Sequence, residues 1–172
     1  MSRADLTFAL ILGLCSITSA RADSLAQQAF NELATLVGEW EGRYSNGRSH
    51  QVSFALTAND SVIVETWSMS PTRRSLTLYA LDGERLIATH YCPQGNQPRL
   101  VLTEQDANHD YHFAFLDGTN LQDPQGSHQH ALQIHIDSAQ AFSRSESYVS
   151  NAQLELREVE AGERVSYRRI SR

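Results

Sequence analysis

Hydrophobic positions along this chain change their spacing once. Leu25, Ala29, Phe30, Leu33 and Val37 recur at about 3.6 residues, the spacing of one helix face, and Ser24-Leu25-Ala26-Gln27 has the form of a capping box. Gly38 stops that pattern, as glycine does just past a helix end. From there to the C-terminus apolar and polar residues alternate, the period of a strand with one buried face. The alternation predicts strands over Glu39 to Ser45, Gln51 to Ala58, Ser61 to Met69, Arg74 to Leu81, Glu84 to Cys92, Arg99 to Gln105, Tyr111 to Leu116, His130 to Ile136, Ala141 to Val149, Gln153 to Glu160 and Arg164 to Ile170. Asn46-Gly47 and Asp82-Gly83 are tight-hairpin dipeptides. Asn59-Asp60 and Asn108-His109 suit short turns, and Ala161-Gly162 suits the last one. The long connection runs from Asp117 to Gln129, with Asp123-Pro124-Gln125-Gly126 as its turn.

Short connections make neighbouring strands antiparallel, and ten or so strands in an up-and-down series leave two exposed edges unless the sheet closes. The expectation is therefore an all-β fold: an antiparallel up-and-down β-barrel of about ten strands with a short N-terminal helix. A barrel of this strand number encloses packed side chains or one small ligand.

The first 22 residues stand apart. Leu6 to Ile17 is an apolar run of about a dozen residues, short of the roughly 20 that span a bilayer, with Arg3 before it and Ala20-Arg21-Ala22 after it. That is the form of a secretory signal peptide cleaved after Ala22, which predicts residues 1–22 as signal and 23–172 as one periplasmic or secreted barrel domain. The remaining 150 residues carry 12 arginines against 19 acids. An acidic balance speaks against nucleic acid and anionic membranes as partners. Cys15 leaves with the signal, so no intrachain disulfide is available. Cys92 is then buried, reactive or paired between molecules as a homodimer.

Leu36-Val37-Gly38-Glu39-Trp40-Glu41-Gly42 at the start of the first strand and Tyr167-Arg168-Arg169 in the last resemble the calycin group. Its lipocalin-like members have a Gly-x-Trp where a short helix enters the first strand, and a last-strand arginine packed across that tryptophan. The resemblance implies a structural signature of Gly38, Trp40 and Arg168 or Arg169. With Val64-Glu65-Thr66-Trp67 added, the chain most resembles a bacterial lipocalin-like family of unknown function, the DUF1579-like proteins. More distantly it resembles nitrobindin, a ten-stranded barrel that holds haem through a histidine near its C-terminus; the last histidine here is His135, so that ligand has no counterpart.

Candidate chemistry gathers in Thr89 to Leu100, THYCPQGNQPRL. By the strand period Leu86, Ala88, His90 and Cys92 share one face and Ile87, Thr89 and Tyr91 the other, with apolar residues on both. His90 and Cys92 point the same way some 6–7 Å apart, beyond direct hydrogen bonding, and a thiolate enzyme also needs an orienting group and an oxyanion hole. Thr89, His90, Cys92, Asn96, Gln97 and Arg99 are candidates for ligand contact, set against a structural reading in which Asn96, Gln97 and Arg99 tie the turn to backbone. Glu65 and Trp67 share a face in a strong β run, where a carboxylate turned inward would need a cationic partner and would then anchor a ligand in an apolar pocket. Tyr79, Tyr111, Phe113 and Phe115 supply wall or core. His128, His130 and His135 invite a metal, but His135 has the opposite parity, and the expected reading is separate surface histidines. The function expected is a non-catalytic barrel that binds a small, partly apolar molecule, with no cofactor or metal. The alternative is a haem-binding, metal-binding or enzymatic barrel built on His90, Cys92 and Glu65.

Overall fold

Ser24 opens helix α1 (Leu25–Ala34) by accepting the Gln27 N–H on its hydroxyl at 3.2 Å. The Gln27 side-chain amide donates forward to Asn31, whereas in a full capping box it would accept the Ser24 N–H. The computed structural model describes residues 23–156 and 162–170, so the expected signal peptide lies outside the described residues. Ala26, Ala29, Phe30 and Leu33 form the buried stripe of α1. Leu25 is exposed and Val37 follows the helix, which corrects the stripe by one position at its start.

Ten strands follow: β1 (Gly38–Arg43), β2 (Ser49–Thr57), β3 (Val62–Ser70), β4 (Arg73–Asp82), β5 (Arg85–Tyr91), β6 (Gln97–Gln105), β7 (Asp110–Thr119), β8 (Ser127–Ser138), β9 (Ala141–Ser150) and β10 (Val165–Arg169). Each pairs antiparallel with its sequence neighbour, and β10 pairs with β1 to close the barrel. Closure removes both edges. A turn forms at Asn46-Gly47, where Tyr44 and Arg48 are joined by a 2.9 Å backbone bond, and the second tight turn is offset by one residue, since Asp82 still pairs with Arg85 and Gly83-Glu84 make the turn.

Two expectations change. The strand expected over Gln153 to Glu160 is absent from its described part, where Asn151–Gln153 is a 3-10 turn and Leu156 bonds back to Gln153; its remainder, with the expected Ala161-Gly162 turn, falls on residues 157–161, which lie outside the described residues. The long connection is also shorter, because β7 reaches Thr119 by pairing Gly118 with Pro98 and Thr119 with Gln97.

Helix α1 packs against β2, β4, β5 and β6 at one end of the barrel. Trp40 sits beneath it, fully buried, and its indole N–H donates to Leu36 O at 2.7 Å. The Arg169 guanidinium lies 4.2 Å from the Trp40 ring centroid and donates to Val37 O, Thr35 O and Ala139 O at 2.7, 3.0 and 2.8 Å. Arg169 is thus the arginine that closes this end, and Arg168, one residue out of phase, is exposed. Gly38, at φ 138°, lies so near this guanidinium that a Cβ would collide with it.

Candidate functional site

The inward row of each strand changes character from the helix end to the opposite mouth. Along β3 it reads Ile63, Glu65, Trp67; along β5, Leu86, Ala88, His90, with Cys92 just beyond; along β9, Phe142, Arg144, Glu146, Tyr148. The strand period therefore stacks a charged layer on the apolar one, and an aromatic and imidazole layer above that.

In the charged layer Arg144 reaches from β9 to Glu65 on β3, with 2% and 1% of the side chains exposed. The Arg144 guanidinium also meets Glu146 at 2.9 Å, and the Tyr79 hydroxyl donates to Glu65 at 2.7 Å. Burial pushes the Glu65 carboxyl above the usual carboxylate range, with the Arg144 charge and the Tyr79 hydroxyl acting the other way. Glu65 is inward and partnered.

In the layer above, the Trp67 ring has His50 stacked on it at 4.7 Å and the Arg144 guanidinium 4.6 Å from its centroid. His50 Nε2 and the Tyr167 hydroxyl are 3.0 Å apart, and His90 Nδ1 and Thr77 Oγ1 3.1 Å. Burial, with the Arg144 charge added, lowers His50 to about 4 and His90 to about 3. Both imidazoles are neutral at neutral pH. Each keeps one buried nitrogen without a hydrogen-bond partner, His50 Nδ1 and His90 Nε2, and the Trp67 indole N–H has none either.

These groups border three compartments at the mouth, with Tyr44 and Trp67 on the wall of each. One of about 450 Å³ takes in Arg48, His50, Met69 and Arg73. A second of about 230 Å³ takes in Arg144, Tyr148 and Tyr167. The third, about 150 Å³, takes in Met69, Arg73, His90, Cys92 and Tyr148. Cys92 is buried, and burial raises its thiol pKa.

The expected ligand set divides here. Glu65, Trp67, His90 and Cys92 meet in the interior. Thr89 faces out, opposite Arg99, whose guanidinium pairs with Asp117 on the outer surface. Gln97 bonds Gly95 O and the Thr119 hydroxyl, and Asn96 donates to Ser127 O at 2.7 Å. Thr89 and Arg99 are out of phase with the inward rows, and Asn96 and Gln97 tie the turn, so the structure does not bring these four to the interior site. Tyr111 turns to the helix, donating to Glu32 at 2.7 Å. Phe113 packs on Tyr79, and Phe115 on His128 and His130.

The histidines of β8 correct the surface reading. A register shift between Gln129 and Ala131 breaks the alternation, and His128 is fully buried, bonded to Asn151 at 2.9 Å and to the His130 ring at 3.1 Å. His135 lies apart, between Asp110 and Asp137. Among the described residues no three His, Cys, Asp or Glu side chains group as a metal site.

No family model matches this chain, and no curated protein does. Among solved structures it is similar to Rv2717c from M. tuberculosis, with a TM-score of 0.52, 17% identity and coverage of 83% of this chain and 98% of that one. It is also similar to a protein of unknown function from the DUF3598 family of Nostoc punctiforme, with a TM-score of 0.50, 13% identity and coverage of 80% of this chain. The match spans 49% of that longer protein. These likenesses show the fold, a ten-strand antiparallel barrel.

Sequence reasoning missed Arg144, Glu146 and Tyr148 on β9, His50 on β2 and Tyr167 on β10. The signal was present in FSRSESY: serines occupy one phase, which leaves Arg144, Glu146 and Tyr148 in the phase of the core residue Phe142.

Proposed function

We infer that this chain is an exported, calycin-type barrel that takes up a small, partly apolar molecule through the mouth opposite α1, without catalysis. The observation that carries the reading is that Trp67 and His50, which line a cavity of about 450 Å³, each hold a buried polar atom without a partner, Nε1 and Nδ1. Buried polar groups are ordinarily hydrogen-bonded, and few convergent polar atoms among aromatic walls is the usual composition of a small-molecule site. Tyr44, His50, Trp67 and Tyr167 supply flat apolar surface, while Arg48 and Arg73 line the rim. The ligand class this favours has a ring-sized apolar body and a hydrogen-bond acceptor, carbonyl or carboxylate, turned to the Trp67 N–H. Binding without catalysis fits the local chemistry, because Cys92 is held as a thiol and His90 Nδ1 is engaged by Thr77.

The test uses the two indole N–H resonances of the chain, from Trp40 under the helix and Trp67 at the mouth. Titration with benzoate and naphthoate, beside native mass spectrometry of protein purified from the periplasm, is expected to move the Trp67 signal and leave that of Trp40 in place. If neither probe moves Trp67 and no bound mass accompanies the purified protein, the binding reading is lost.

A further inference from the structure

Beyond residue 22 the sequence contains one methionine, Met69, and one cysteine, Cys92. Both line the compartment of about 150 Å³ at the mouth, and His90 lines it with them. These are the soft and borderline metal donors of the protein chemist: a thioether, a thiol and an imidazole.

His90 is the decisive member. It is 2% exposed, its Nδ1 is 3.1 Å from Thr77 Oγ1, and its Nε2 is buried with no hydrogen-bond partner in a residue that lines the compartment. Metal-binding histidines are typically fixed this way, one ring nitrogen tied to an oxygen so that the other presents its lone pair. Neutral imidazole is the form that ligates. Cys92 lies two residues further on, just past the end of β5, and lines the same compartment, and Met69 stands at the rim, 38% exposed.

We propose that Met69 Sδ, His90 Nε2 and Cys92 Sγ form a binding site for a soft monovalent metal ion, Cu(I). Thiolate and thioether donors select Cu(I) over magnesium, calcium or manganese, which take oxygen ligands. Charge points the same way. Cu(I) displaces the Cys92 proton, forming one metal–sulfur bond and releasing one H⁺, so the net charge of the buried site is unchanged. A divalent ion would leave one added positive charge beside Arg73 and Arg144, and isolated charge in a low-dielectric interior is costly. Glu146 lines the compartment but is already engaged by Arg144 and Gln129. This site goes beyond the organic ligand inferred above and does not depend on it.

The test is an anaerobic titration of the reduced full chain carrying Cys15→Ser, with Cu(I) partitioned against bicinchoninate. The expected result is one Cu(I) per chain, one proton released per ion, quenched Trp67 fluorescence and a shifted Met69 methyl resonance. Cys92→Ser and His90→Gln are each expected to weaken binding by more than the ~10–100-fold that loss of an orienting group costs, with Thr77→Val inside that range. Circular dichroism of each variant shows whether the barrel persists. Binding as tight in a folded Cys92→Ser or His90→Gln variant, no proton release, or an unmoved Met69 methyl at saturation overturns the site. Benzoate binding with no Cu(I) uptake would remove this proposal and leave the organic ligand standing; the reverse would do the opposite.

Discussion

Arg144 crosses the barrel to donate to Glu65, and almost nothing of either side chain reaches solvent. Such a pair is weak evidence for stability, because the desolvation of both ions offsets their attraction. Breaking it is another matter. Arg144→Met leaves the Glu65 carboxyl buried with only the Tyr79 hydroxyl, and is expected to cost about 3–5 kcal/mol in urea denaturation. The double variant Glu65→Leu/Arg144→Met should recover most of that loss. A cost for Arg144→Met within the roughly 0.5 kcal/mol of a neutral surface change would show that the pair is not held as described.

Stability should fall with acid between about pH 6.5 and pH 4, and the buried imidazoles are the cause. His50 and His90 titrate near 6.5 when unfolded and at about 4 and about 3 when folded. Between those values the unfolded chain binds more protons, so stability present above pH 6.5 is lost as pH drops, by up to about 1.4 kcal/mol per pH unit for each group. Glu65 has the opposite sign, since its folded pKa is raised: its contribution is present at low pH and lost as pH rises. Comparing each variant with the parent cancels that common part. His90→Gln is expected to show a shallower decline over this window, measured by urea midpoints at several pH values. Parallel curves for parent and variant would rule out a buried neutral His90.

The two adjacent arginines of β10 should separate sharply. Arg169 caps three carbonyls and covers Trp40, whereas Arg168 is exposed. Arg169→Ala is expected to destabilise by roughly 2–4 kcal/mol, the scale of losing several charge-assisted hydrogen bonds, and Arg168→Ala by no more than about 0.5 kcal/mol. Thermal denaturation of the two variants side by side reads the difference. Equal shifts would refute the latch.

The barrel was legible because its cause is local: alternation and turn dipeptides fix strand and hairpin, and closure follows from the open edges. The site was legible only in part. Glu65 and Trp67 could be placed together on one face, but the partner of Glu65, Arg144, lies 79 residues away, and no spacing rule connects β3 to β9. Which face of β5 looks inward was also hidden, since Ile87 and Tyr91 are as apolar as Leu86 and Ala88; the pairing of Thr77 with His90 decides it. The histidines of β8 misled for a different reason. A parity argument assumes a regular strand, and the shift between Gln129 and Ala131 removes that premise.

Cys92 is the remaining test of the mouth. Its thiol is buried beside His90, and burial, with Glu146 adding to it, holds its pKa above the ordinary value, outweighing the Gln94 backbone and Arg73. The rise leaves less thiolate, the reactive form, and burial limits access to the sulfur. At pH 7.5 and with Cys15 replaced by serine, alkylation by iodoacetamide is therefore expected to run more slowly than for the urea-unfolded chain. The folded protein should also stay monomeric on a non-reducing gel after air oxidation, since a buried sulfur cannot meet its counterpart on a second molecule. Alkylation at the unfolded rate, or a disulfide-linked dimer, would place the thiol at the surface. Either result would dismantle the inward face of β5, on which His90 and the mouth depend.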